Sequence, residues 1–260
     1  MSPRPDKPVG VRTDQWPELR AFTPARLALG RAGAAQPTAA VLAFQLAHAQ
    51  ARDAVHAPLD VVTLAEALRA DGWQPPVAVA SRAADRAAYL ARPDWGRRLS
   101  AESLGALPVA TRPDVVMVIS DGLSATAVQR HAVPLLAALK PLLGNMVLAP
   151  LVIATQARVA LADEVGERLA ARVAVSLIGE RPGLSSPDSL GAYITAMPCV
   201  GCSDAGRHCI SNIRPQGLAI DPAATQLAAL IHSALAQGKS GVTAAAGATR
   251  ASVAASLPRP

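Results

Sequence analysis

The sequence has 260 residues, 51% of them hydrophobic and 17% charged, which suits one large or two small globular domains around a sizeable core. The net charge of +6 comes from arginines scattered along the chain, with lysine only at Lys7, Lys140 and Lys239. There is no basic run and no interleaving of aromatic with basic residues, so no nucleic-acid surface is expected.

Residues 1–22 read as a proline-rich arm, with Pro3, Pro5, Pro8 and Pro17 where a secretion signal would carry an apolar stretch. Residues 23–110 read as a helical region. Within 37–107, Pro37-Thr38 opens a helix whose stripe is Val41, Leu42, Phe44, Gln45, Leu46, Ala49 and Val55. Leu59 to Ala70 predicts a second helix ending at Asp71-Gly72. A third helix, a Pro-Asp turn and a short helix capped by Ser100 follow.

From residue 111 to 240 the pattern becomes α/β. Val115-Val-Met-Val-Ile119 is a short, continuous, β-branched run bounded by Pro113 and Gly122, the mark of a buried parallel strand. A helix over Ser124–Leu143 carries Pro134 and Pro141. Further strands are expected at Met146–Ala154, Val173–Ile178 and Ala192–Met197, with helices at Leu161–Ala171 and Pro222–Gln237. The expected fold class is therefore α/β, a Rossmann-like, mainly parallel sheet flanked by helices and preceded by a helical N-terminal region. Residues 241–260 are alanine-rich, of low complexity, and read as a flexible tail. The longest apolar run, Met146 to Ala154, contains Pro150 and falls far short of the ~20 residues of a membrane helix, so no membrane partner is expected and the compartment is read as cytoplasmic.

Open parallel sheets bind ligands beyond the carboxyl ends of their strands. Three loops leave such ends: Ser120-Asp-Gly122, Thr155–Val159 and Gly179-Glu-Arg-Pro-Gly183. If the strands are neighbours, the loops form one polar crevice, and the bent, glycine-bearing segment "GERPGLSSPDSLGAY" (179–193) is a wall of it.

Several familiar chemistries do not fit. "LALGRAGAA" lacks the first glycine of a dinucleotide loop, and "GKS" (238–240) follows a helix and lacks the earlier P-loop glycine. No G-x-S-x-G elbow accompanies the serines. His131 and His232 read as helix-surface residues. "CVGCSDAGRHC" (199–209) offers four close ligand types, but Cys202 and Cys209 are widely spaced and His208 adjoins Cys209, so three reduced thiols are expected and no metal site.

The segments "TPARLALGRAG" (23–33), "FQLAHAQARDAV" (44–55), "RPDWGRRLS" (92–100), "VISDGLSATAV" (118–128), "GERPGLSSPDSLGAY" (179–193) and "CISNIRPQGL" (209–218) occur in an order and register that resembles the small subunit, or light chain, of ethanolamine ammonia-lyase. The resemblance spans about residues 23 to 240. It implies a lyase that uses adenosylcobalamin to convert ethanolamine to acetaldehyde and ammonia by radical chemistry. It further implies a large TIM-barrel subunit that holds substrate, and six copies of each chain. No catalytic residue is then expected in this chain, whose part is to help enclose the cofactor. Cofactor contacts carry over onto Val159, Glu180 and Cys209, with Arg158, Ser211 and Asn212 as neighbours. The chain lacks an Asp-x-His-x-x-Gly stretch, so the cofactor's own base is expected to stay on cobalt. Some members enter bacterial microcompartments by an N-terminal amphipathic segment, and residues 1–20 do not read as one. From residues alone, a standalone α/β binding protein or hydrolase using the same crevice is the alternative.

Overall fold

The computed structural model describes residues 10–14 and 16–241; the expectations for most of the arm and for the tail beyond Gly241 lie outside them. Two short strands, β1 (Val11–Arg12) and β2 (Arg31–Ala32), pair antiparallel, and Gly30 turns into them at φ +80° with no room for a Cβ beside Arg12 O. The α1 helix (Thr38–His56) and α2 (Val61–Ala70) follow, with Asp60 capping α2 through Thr63 N at 3.0 Å.

Residues 77–80 correct the expectation of an all-helical 37–107. They form β3 (Val77–Ala80), an edge strand of the main sheet. Its four residues "VAVA", after Pro75-Pro76, are too short to declare a period, and only pairing with a distant strand decides their state. Then come α3 (Arg86–Ala91) capped by Asp85, α4 (Ala101–Ala106) capped by Ser100, β4 (Val115–Ser120), α5 (Ala125–Leu139), β5 (Val152–Thr155), α6 (Leu161–Leu169), β6 (Val173–Gly179), β7 (Leu190–Ala196), β8 (Arg207–Ile213) and α7 (Ile220–Gln237).

The sheet order is β3-β5-β4-β6-β7-β8. The pairs β3–β5, β5–β4 and β4–β6 are parallel, while β6–β7 and β7–β8 are antiparallel. The architecture is thus α/β with a mixed sheet, and two further expectations change. The last expected strand returns antiparallel, because the segment after β6 is a hairpin connection and too short for a parallel crossover. The strand expected from Met146 shrinks to Val152–Thr155, because Pro150 cannot donate to a ladder. The β8 strand, within the cysteine segment, was not anticipated.

β4 shows why its sequence is apolar throughout. Val115, Met117 and Ile119 pack into the cluster beneath α2, α5 and α7, and Val116 and Val118 into the cluster beneath α4 and α6. Both faces are buried, so no polar position survives except the exit. On the α6 side, a Cβ on Gly166 would stand 2.5 Å from Pro198 Cγ and 3.2 Å from Ala174 Cβ; the small residues there let the helix lie close to β6.

The α1 helix is the exception to inward patterning. Leu42, Phe44 and Leu46 are exposed, and only Ala47 and Ala54 are buried. Of the expected stripe, Val41, Ala49 and Val55 are half-buried, while Leu42, Phe44, Gln45 and Leu46 face outward. His131, expected on a helix surface, is instead buried on α5 against Asp188 of the β6–β7 connection, with Nε2 3.7 Å from Asp188 Oδ2. The period of a helix marks its faces, but the partner of each face is set by the hairpin that folds over α5.

Candidate functional site

The parallel strands β3, β5, β4 and β6 send their carboxyl ends to one edge, where the three expected loops meet. Their junction is close-packed. Leu123 N donates to Gly179 O at 2.8 Å. Gly122 sits at φ +53° with Gly179 O 2.2 Å from where its Cβ would be, and a Cβ on Gly179 would lie 2.0 Å from Ser124 O. Only glycine fits at either point.

Asp121 locks the second loop to this junction. Its buried carboxylate accepts from Gln156 N at 2.9 Å and Ala157 N at 3.1 Å, with Gln156 turned into the left-handed region at φ +52°. Burial raises the Asp121 pKa, while those two backbone bonds and the Arg86 charge act in the opposite direction. Arg86, on α3, ties the cluster together: Nη1 donates to Gly122 O at 2.8 Å and Gln156 Oε1 at 3.3 Å, stands 3.5 Å from Asp121 Oδ2, and Nε donates to Val55 O at 2.6 Å. Tyr89 lies between two guanidinium groups, 4.7 Å from Arg86 and 4.1 Å from Arg158. Its fully buried hydroxyl donates to Ala157 O at 3.2 Å, and burial pushes its pKa up to about 12.

Above this scaffold opens a cleft of about 640 Å³. Pro93, Leu123, Val159, Ala160 and Ile178 give it apolar surface; Arg97, Arg158, Glu180, Arg181, Tyr193 and Asp204 give it polar groups. Val159 and Glu180, both expected as contacts, line it. Glu180 does not pair with Arg181. Its Oε2 accepts from the Ser189 hydroxyl and from Asn212 N at 3.1 Å, and its side chain folds over Gly191, where a Cβ would meet Oε1 at 2.9 Å. The carboxylate is therefore held in one place before any ligand arrives.

Cys209 is not among the lining residues. It sits on β8 directly across from Tyr193, which does line the cleft. Cys209 is an exposed residue, but partial covering of its thiol raises the pKa, the Tyr193 hydroxyl opposes the shift and Glu180 adds to it, so the three side chains share one neighbourhood. Of the expected neighbours, Arg158 lines the cleft, Asn212 holds Glu180 through its backbone, and Ser211 is exposed.

Tyr89, Arg86, Arg97, Tyr193 and Asp204 were missed by sequence reading. One signal was available: the chain has only two tyrosines, and both stand at this cleft. Among the described residues, no three His, Cys, Asp or Glu side chains gather as a metal site, and no helix is long and apolar enough to cross a membrane.

Comparison with known proteins bears on what such a cleft serves. A family model described as ethanolamine ammonia-lyase light chain (EutC) matches residues 13–244. A protein of Ralstonia nicotianae, called ethanolamine ammonia-lyase small subunit, is 52% identical over 246 residues, covering 92% of this chain and 91% of its own length. Proteins with the same description from Azotobacter vinelandii and Bradyrhizobium diazoefficiens are 53% and 54% identical over 240 and 230 residues, covering 87% and 86% of this chain and 86% and 88% of their own lengths.

Proposed function

The chain belongs to the ethanolamine ammonia-lyase light-chain family, and from that premise we propose that it works as the small subunit of an adenosylcobalamin-dependent enzyme that turns ethanolamine into acetaldehyde and ammonia. In this reading a barrel-forming large subunit holds the substrate, six copies of each chain assemble, and this chain walls in the cofactor from the other side without a catalytic residue of its own.

The convergence of three strand exits into one cleft supports the reading best. A corrin has a broad apolar body and a rim of amides. The cleft sets Val159, Leu123, Ala160 and Ile178 beside a ring of polar groups, and Arg158 Nε is buried with no hydrogen-bond partner among the described residues. Such an orphan donor calls for an acceptor from outside. The residues therefore suit the group. Val159 supplies apolar contact, Glu180 accepts from amide N–H groups, and the Cys209–Tyr193 pair backs the wall. When bound, adenosylcobalamin supplies the radical chemistry through its cobalt–carbon bond; this chain supplies orientation and exclusion of water. Its rigid wall is fixed beforehand by Asp121, Arg86 and the two glycines, so little ordering remains to be done on binding.

The outward face of α1 suits the assembly. Leu42, Phe44 and Leu46, with Val62 of α2, are exposed apolar side chains in the helical region. In this reading they dock the large subunit, which would remove them from water.

The test mixes purified chain with large subunit and follows cobalamin absorbance and ethanolamine turnover. Turnover is expected only in the mixture; turnover by this chain alone would refute the subunit role. Within the complex, Glu180→Ala is expected to weaken cobalamin binding by ~1–3 kcal/mol, about 5- to 150-fold, the cost of a lost polar contact. Unchanged affinity would remove Glu180 from the site.

A further inference from the structure

The "CVGC" turn has no part in the cleft. Cys199 and Cys202 bracket a tight turn beyond β7, closed by Cys202 N donating to Cys199 O at 3.2 Å. Gly201, at φ +98°, fills the third position, where a type II turn requires a positive φ. A turn of this kind keeps the two Cα atoms within about 7 Å, and disulfides span Cα separations up to about 6.8 Å. The sulfurs stand 3.4 Å apart, both reduced. A bond of about 2.05 Å is reached mainly by rotation of the side chains.

The backbone there is held by other groups. Val200 N donates to Glu167 Oε2 at 3.0 Å. Cys202 O accepts from Arg207 Nη2 at 3.0 Å, and Arg207 is anchored in turn on Asp163 at 2.6 Å. Neither thiol is needed to hold the turn, and Cys199 is exposed to reagents in solution. A small dithiol presented on a fixed turn is pre-organised for ring closure, since the turn has already met the entropy of bringing its ends together.

We propose that Cys199 and Cys202 form a redox-active dithiol that exchanges with low-molecular-weight disulfides of the glutathione class and closes reversibly to an intramolecular disulfide. The thiolate of one cysteine attacks the oxidant's disulfide, forming a mixed disulfide and releasing one small thiol. The second thiolate then attacks the protein-bound sulfur, forming the Cys199–Cys202 bond and releasing the other small thiol. The protein loses two electrons and two protons, and the oxidant gains both as two thiols. Cys209, in β8 opposite Tyr193, takes no part.

The test incubates the folded full chain with excess glutathione disulfide, alkylates the remaining thiols, and reads intact mass and peptide map. The expected product has Cys199 joined to Cys202 with loss of two hydrogens and neither of them alkylated, while Cys209, an exposed thiol with no cysteine beside it, carries the alkyl group or a single glutathione. Dithiothreitol restores all three. In Cys199→Ser, the expected product is a stable glutathione adduct on Cys202. Glutathione retained on both cysteines of the unaltered chain, a bridge that includes Cys209, or no reaction under excess oxidant would each overturn the proposal. All these readouts are independent of cobalamin and of ethanolamine turnover.

Discussion

Arg86→Met tests the claim that the cleft's floor is locked before ligand binds. The substitution keeps much of the side chain's apolar length and removes the guanidinium. Two short charged hydrogen bonds disappear, to Val55 O at 2.6 Å and to Gly122 O at 2.8 Å, together with the longer contacts to Gln156 and Asp121. At about 1.5 kcal/mol for each short charged bond, the loss is about 3 kcal/mol. For a chain of this size that lowers Tm by about 6–12 °C. The loss also carries a pH signature. Burial already raises the Asp121 pKa above its ordinary 3.8, and Arg86 is one of the groups that restrain it. A carboxylate raised in this way binds more protons folded than unfolded, so its contribution is favourable in acid and is lost as pH rises from 3.8 through the folded value. Without Arg86 the folded value climbs further, and the added penalty is felt at neutral pH. Urea unfolding of both proteins, at about pH 4.5 and about pH 7, is the assay; comparison at each pH cancels the other carboxylates. The deficit should be larger at neutrality. A deficit under ~1 kcal/mol at neutral pH, or one that grows in acid, would show that Arg86 does not carry the junction.

Gly179→Ala should cost about 1–3 kcal/mol, since its Cβ meets the backbone of Ser124 and Asp121, which cannot rotate away; a urea midpoint equal to that of the unaltered chain would mean the junction is looser than described. Arg207→Met leaves the buried Asp163 carboxylate without its 2.6 Å partner and should cost about 3–5 kcal/mol, while adding Asp163→Leu should recover most of that in thermal melts. His131 is kept neutral by burial, which lowers its pKa below 6.5 despite nearby Asp188. Its stabilising contribution is whole above pH 6.5 and is lost as pH falls toward the folded value, so His131→Gln should flatten the slope of Tm against pH below 6.5. Identical slopes in the two proteins would rule that out.

How far the chain declares itself depends on the range of the forces at work. β4 could be read directly, because a strand buried on both faces has no polar option and five apolar residues in a row suffice to mark it. The cap at Ser100 was legible too, since its bond closes within three residues; Asp60, Asp85 and Ser124 cap their helices in the same way. The crevice followed from counting strand exits, and the segments from 23 to 218 carried the family. The tertiary structure decided what depends on distant partners. β3 is a strand because β5 lies beside it, and β7 runs antiparallel because the connection is a hairpin. Glu180 is aimed by Ser189 and by the backbone of Asn212, which lies 32 residues further on. Arg86 reaches Gly122 and Gln156 across gaps of 36 and 70 residues. Local preference is written in neighbouring side chains, whereas a site assembled from separate loops exists only once the sheet has brought their ends together.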